Sequence, residues 1–195
     1  MRKAEVERKT NETEIKIKLN LDGTEKRKID TGIGFLNHML ELFAKQGLFD
    51  LEIKAIGDLQ VDEHHTVEDV GIVLGQAFKK ALGEKKGIKR YGFFIVPMDE
   101  TLALAAVDIG GRSYCVMDIQ FNREKVGDLS TELVYDFFEA LASNLGANIQ
   151  IKVFYGRNEH HKIEAVFKTF ARAMSMAVEI DPRIKGKIPS TKGVI

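Results

Sequence analysis

The sequence has no tryptophan, one cysteine, three prolines and no net charge, because 29 Lys plus Arg balance 29 Asp plus Glu over 195 residues. Each shortage excludes something. A single cysteine, Cys115, cannot form an intramolecular disulfide, and no apolar N-terminal leader is visible, so a reducing, cytoplasmic setting is expected. Zero net charge removes any general attraction to nucleic acid or membrane, and recognition of an anion such as phosphate has to be local. Without tryptophan or aromatic residues interleaved with basic ones, nucleic-acid binding is disfavoured. The longest apolar windows, such as VGIVLGQAF, fall well short of a membrane span. What is present is 44% hydrophobic residues, enough to fill the core of one domain or of two halves sharing a core.

Histidine is scarce as well, yet four of the five stand in neighbouring pairs: VDEHHTVED at 61–69 and RNEHHKIEA at 157–165. The pattern around them accounts for the repetition. Alternation in TEIKIKLN and EKRKID, joined by LDGT, predicts a hairpin through an Asp-Gly turn. In GFLNHMLELFAKQG, Phe35, Leu36, Met39, Leu40 and Phe43 recur at helical spacing and Gly47 supplies a stop. LFDLEIKAIG alternates like a strand, and Asp62 is set to cap a helix from Glu63 to Leu82 closed by Gly83. Three strands follow in RYGFFIVP, ETLALAAVDIG and RSYCVMDIQ. A helix near STELVYDFFEALASNLG, a strand NIQIKVFYG and a helix from Glu159 to about Glu179 complete the order.

The first half thus reads β-β-α-β-α, and the second repeats it with one more strand. A shift of 98 superposes Phe35, Leu36, Met39, Leu40 and Phe43 on Leu133, Val134, Phe137, Phe138 and Leu141. A shift of 96 superposes Asp62, His64, His65 and Glu68 on Asn158, His160, His161 and Glu164. The chain is internally duplicated, and so long a period means two pseudo-symmetric halves, not a solenoid. The expected fold is α+β, a duplicated β-β-α-β-α unit in which each half is a sheet packed on two helices. Residues 1–85 and 86–181 are the expected halves of one integrated domain, and 182–195 an irregular basic tail.

On a helix each residue advances about 100°, so His64 and Glu68 share a face while His65 points away. With Val67, Val70, Leu74 and Phe78 as the core stripe, the two histidines and the glutamate flank it. His160, His161 and Glu164 do the same beside Ile163, Val166, Phe170 and Met174. Imidazole plus carboxylate without cysteine suits Mn, Fe or Zn and argues against a structural zinc knot. One ion can hardly use two diverging histidines, so two ions, each taking one histidine per repeat, fit the pattern better. The HExxH order of zinc proteases is absent. The fifth histidine, His38, lies at the edge of its helix's apolar stripe, and its repeat mate is Asp136. Ligand character persists at that position in both halves, which adds His38 and Asp136 to the candidates.

The motifs LNHML, DEHHTVEDVGIVLGQA, GGR, TELVYDFF and GRNEHHKIEAVFKTFARA, in this order, closely resemble the imidazoleglycerol-phosphate dehydratases, lyases of histidine biosynthesis. The resemblance runs nearly end to end. It implies a homo-oligomeric cage of twenty-four chains with two manganese ions per active site, held between subunits. Position by position, it implies His38, His64, His65, Glu68, His160, His161 and Glu164 as metal ligands. Asp136 stands where the family usually has histidine; aspartate can still ligate manganese, a hard ion that favours oxygen. The resemblance also implies substrate contacts from Glu12 of RKTNET and from His38. Arg90, Arg112 and Lys168, with Ser190, Thr191 and Lys192 of PSTKG, fall at its phosphate-gripping positions. Arginine suits bidentate phosphate contacts and lysine a point contact.

The reaction implied removes water from imidazole glycerol phosphate to give imidazole acetol phosphate, through a metal-stabilised imidazolate and a diazafulvene-like intermediate. Glu164 and Glu12 lead as acid/base candidates, Glu68 is chiefly a ligand, and Asp99 is a further candidate. A metal-storing cage would use the same histidine pairs but leave Arg90, Arg112 and Ser190 unexplained. A metal-dependent phosphate-ester hydrolase would use both groups and differ in product.

Overall fold

The computed structural model describes residues 2–24 and 26–195. In the first half β1 (Lys3–Lys9), β2 (Thr13–Asn20) and β3 (Arg27–Asp30) precede α1 (Gly34–Gly47), β4 (Asp50–Gly57) and α2 (His64–Leu82). In the second, β5 (Tyr91–Met98), β6 (Thr101–Asp108) and β7 (Tyr114–Asp118) are followed by a small hairpin, β8 (Lys125–Val126) and β9 (Leu129–Ser130). Then come α3 (Leu133–Leu145), β10 (Asn148–Tyr155) and α4 (Glu159–Val178). The sheets run β1-β2-β4-β3 and β5-β6-β10-β7, the same order with the same antiparallel, antiparallel, parallel pairing. Duplication is therefore a property of topology as well as of residue pattern.

The repeating unit is β-β-β-α-β-α, one strand richer than the alternation predicts. The extra strand, β1, reads KAEVERK, and only Ala4 of its inward side chains is fully buried, so its periodicity is weak. The expected hairpin between TEIKIKLN and EKRKID does not form. Glu25, at the head of the second run, lies outside the described residues. β4 inserts between β2 and β3, because Leu51, Ile53 and Ala55 give it the buried face a central strand needs. LDGT is instead a crossing loop held by Asp50 at the start of β4. The Asp50 carboxylate accepts the N–H groups of Thr24 (2.7 Å) and Lys26 (3.0 Å), and a Cβ on Gly23 would sit 2.2 Å from the Asp50 nitrogen.

Gly47 also differs from expectation. The left-handed residue that ends α1 is Leu48 (φ 59°), while Gly47 is small because a Cβ there would lie 2.3 Å from the Phe49 ring.

The helices form a shared inner layer. The sheet of the first half packs on α2, with α1 over β3; the sheet of the second packs on α4, with α3 over β7. Across the halves α1 pairs with α4, and α2 with α3. Phe43 stacks on Phe170 (ring centroids 5.5 Å apart), and Phe170 meets Phe138 (5.0 Å), so one aromatic core spans both halves. α2 and α3 run parallel and touch backbone to backbone: a Cβ on Gly71 would lie 2.6 Å from the Phe137 carbonyl oxygen, and one on Gly75 2.7 Å from that of Leu141.

The outer faces of the sheets have diverged. The first is a lattice of ion pairs, Lys16 with Glu5 (2.8 Å), Lys18 with Glu52 (3.4 Å) and Lys54 with Asp30 (2.5 Å). The second exposes Tyr91, Phe93, Ile95, Tyr114, Val116 and Phe154. Among the described residues no helix is long and apolar enough to cross a membrane.

Candidate metal centre

Each candidate imidazole or carboxylate ligand lies in the first two turns of its helix, and capping explains how the histidine pairs are set. The Asp62 carboxylate accepts the N–H of His64 (2.8 Å), and the Asn158 side chain accepts that of His160 (2.9 Å). The same device starts both helices. Within each pair the rings are nearly perpendicular, at 89° and 86°, with centroids 6.1 and 6.0 Å apart, so neighbouring histidines serve different directions.

Packing of α1 on α4 assembles one cluster. Ligand atoms of His38, His160 and Glu164 all lie within 4.8 Å of one another. The His160 Nε2 is 3.1 Å and the His38 Nε2 3.6 Å from the same oxygen, Glu164 Oε2. Phe35 meets the His160 ring edge-on at 5.0 Å and closes one side. The other carboxylate oxygen, Oε1, pairs with Lys168 Nζ at 2.5 Å. Burial alone would raise the Glu164 pKa, but the Lys168 ammonium and the His160 hydrogen bond outweigh it and hold the group below the usual carboxylate range. An ionised carboxylate flanked by two imidazoles is a mixed N/O donor set of the kind manganese, iron or zinc accepts.

Its pseudo-symmetric counterpart is more open. His64 Nε2 stands 3.8 Å from Glu68 Oε2, and the parallel contact of α2 with α3 gives Asp136 the repeat position of His38. Among the described residues Asp136 joins no group of three ligand atoms within 4.8 Å.

The second histidine of each pair is oriented by a carboxylate that the motif reading missed. His65 Nδ1 lies 3.1 Å from Asp58, which raises the His65 pKa. His161 Nδ1 lies 2.7 Å from Glu100, whose carboxyl is lowered to about 2 by that hydrogen bond. In both, Nδ1 is engaged and Nε2 is turned outward, the arrangement in which a carboxylate fixes the tautomer of a ligating histidine. Beyond Nε2 stand Glu12 (3.9 Å from His65) and Asp99 (3.7 Å from His161). Asp58 follows β4 whereas Glu100 precedes β6, so they occupy different repeat positions and the superposition that exposed the histidines could not reveal them.

The basic residues divide into two places. Arg90 forks onto Asp108 (2.6 and 3.1 Å), donates to the Pro189 carbonyl (3.0 Å) and stacks on Tyr91. The tail continues through Ser190, Thr191 and Lys192 to Ile195, which lies against Gly111 beside Arg112. These groups gather at the far end of α4, where the Arg90 N–H bonds the Ala177 carbonyl. At 1.5 Å per residue that is about 24 Å along the helix from His161. Lys168 stands apart, one turn beyond Glu164.

Residues 31–174 match the family described as imidazoleglycerol-phosphate dehydratase. The chain belongs to the imidazoleglycerol-phosphate dehydratase family. It is therefore an enzyme, a hydro-lyase of histidine biosynthesis. Similar dehydratases include that of Acetivibrio thermocellus, 58% identical over 100% of this chain and 99% of its own length. That of Clostridium botulinum (strain Langeland) is 59% identical over 98% and 97%. Two solved dehydratase structures share the fold. The Staphylococcus aureus enzyme superposes with a TM-score of 0.84 at 41% identity, covering 92% of this chain and 99% of that one. The Pyrococcus furiosus enzyme in complex with (S)-C348 gives 0.82 at 35%, covering 97% and 100%.

Proposed function

We propose that this dehydratase converts imidazole glycerol phosphate to imidazole acetol phosphate in the cytoplasm, at a dimanganese site completed by a neighbouring chain. The observation that carries the metal reading is the His38, His160 and Glu164 cluster, formed within 4.8 Å and backed by carboxylate-anchored histidines. One ion is held by these three, and the second by His64, Glu68 and Asp136. His65 and His161, with Nε2 outward, offer each centre a further donor from another chain. Bound manganese supplies Lewis acidity toward the substrate's imidazole nitrogens.

The chain's own groups do the rest. Lys168 keeps Glu164 ionised, hence able to ligate and accept a proton. Glu12, exposed and within 3.9 Å of His65, is free to move a proton at the side-chain carbon beside the ring, a role for which Glu164 and Asp99 are the alternatives. Glu68 acts mainly as a ligand. His38 contacts substrate as well as metal. Arg90, Arg112, Lys168, Ser190, Thr191 and Lys192 grip the phosphate.

The separation of the tail group from the histidines by about one helix length, at roughly 1.5 Å per residue, favours sites shared between chains. The apolar outer face of the second sheet, with Phe93 62% and Tyr114 65% exposed, favours burial against further copies in a homo-oligomer, twenty-four chains by family resemblance.

The test is turnover of metal-stripped protein followed by manganese titration, monitoring ketone and inorganic phosphate. Ketone formation restored by two manganese per chain supports the reading. Full activity in rigorously metal-free protein, or phosphate release in place of ketone, refutes it.

A further inference from the structure

The candidate ligands come from the first two turns of four helices on four separate stretches of chain, so their mutual placement depends on how those helix starts are registered. One excursion reaches all four. Only Thr31 to Ile33 connect β3 to α1, whereas Ile119 to Glu132 separate β7 from α3 and include β8 and β9, an insertion the first half lacks.

At the tip of the insertion Gly127 takes a left-handed φ of 61°, and a Cβ there would lie 3.3 Å from the Phe35 Cβ. This brings Asp128 onto the start of α1, where its carboxylate accepts the N–H groups of Gly34 (2.6 Å) and Phe35 (2.9 Å). α1 follows Ile33, whose side chain can accept nothing, so its cap comes from the other half of the molecule. Ser130 donates its N–H (2.9 Å) and hydroxyl (2.5 Å) to Glu63, the residue before His64, and Lys125 lies 3.0 Å from the same carboxylate. Glu63 is only 8% exposed.

Upstream, the Asn122 N–H reaches Glu159 (3.3 Å) and Lys162 donates to the Gln120 carbonyl (2.9 Å), tying the insertion to the first turn of α4. Buried Val126 and Leu129 fasten the hairpin to the core, and Glu132 leads directly into α3 with Asp136.

We infer that the 119–132 insertion positions the candidate site, acting chiefly through Asp128 as a positioning residue for His38. Its effect on metal rests on the reading under Proposed function; its effect on α1 does not. Loss of the cap lets the first turn of α1 fray, and His38 then leaves the geometry it shares with Glu164 and His160.

The test compares the intact oligomer as wild type, Asp128→Ala, Asp128→Asn, and Asp50→Ala. Asp50→Ala removes a comparable hydrogen-bonded carboxylate from the remote β2–β3 crossing. In metal-free protein, the amides of Asn37 and His38, which Asp128 does not touch, are expected to exchange roughly fivefold faster in Asp128→Ala. Calorimetric titration with manganese is expected to show at least about a tenfold weaker event in Asp128→Ala, largely recovered in Asp128→Asn and unchanged in Asp50→Ala. Wild-type exchange at those amides, wild-type manganese affinity in Asp128→Ala, or equal weakening in Asp50→Ala overturns the inference. If wild type itself binds no manganese, the metal reading fails and the exchange measurement alone decides the positioning role.

Discussion

Gly71→Ala tests how closely α2 and α3 touch. The new Cβ would lie 2.6 Å from the Phe137 carbonyl oxygen and 3.2 Å from the Ala140 Cβ. The first obstacle is backbone inside a helix, so it cannot rotate aside, and the two helices must separate by several tenths of an ångström. Alanine improves helix propensity over glycine by about 1 kcal/mol. Overpacking costs about 1–3 kcal/mol, and rigid backbone places this site at the upper end, so the net loss is about 2 kcal/mol. At about 2–4 °C per kcal/mol for a chain of this size, melting falls by about 4–8 °C. The assay is a thermal melt of metal-free protein at fixed chain concentration, since assembly makes melting concentration-dependent. Adding Ala140→Gly relieves only the 3.2 Å contact and should recover little. A melting temperature at or above that of the wild type would refute the close-contact reasoning.

Asp50, lowered to about 2 by Asn20 and the N–H groups of the crossing loop, has a folded pKa below its ordinary 3.8. Its stabilisation is therefore present above about pH 4 and lost as pH falls toward 2; partial exposure limits it to about 1 kcal/mol, read as the difference between acid melts of wild type and Asp50→Asn. Asp136→Ala is expected to reduce manganese stoichiometry from two to one per chain, and unaltered titration would discard Asp136 as a ligand. Lys192→Ala should raise KM about ten- to a hundredfold with kcat kept, the loss of one charged contact; an unchanged KM would remove the tail from the site. Co-assembly of His161→Ala chains with Arg112→Ala chains should restore activity that neither variant has alone, and no recovery would argue for sites within one chain.

Much of the fold was legible because the duplication writes each signal twice. His64 and His160 stand out through matching caps, and Phe43 and Leu141 through matching stripes, all patterns written by spacing along one helix. What sequence periodicity could not show is pairing at a distance. The position of β4 between β2 and β3 rests on the buried face of Leu51, Ile53 and Ala55, with Asp50 holding the crossing loop, whereas the Asp-Gly turn signal in LDGT carried the opposite suggestion. The missed site residues have the same origin. Asp58 and Glu100 matter only because strand ends bring them to His65 and His161, and Asp128 because a hairpin tip meets a helix 94 positions earlier.

The helix pairing also bears on why the two clusters differ. His38 comes from the first half and His160 with Glu164 from the second, so neither half holds the cluster by itself. Two separate copies of one half, related by a twofold axis, would have to form both clusters alike. A fused chain escapes that constraint, and each difference between the halves can then act on one cluster only. Asp136 places a shorter carboxylate at the repeat position of His38, while the 119–132 insertion caps α1 but leaves α3 without a side-chain cap. The cluster with the cap is also the one assembled within 4.8 Å. The two halves therefore share the His-His-x-x-Glu pattern, and their differences give its two copies unequal surroundings.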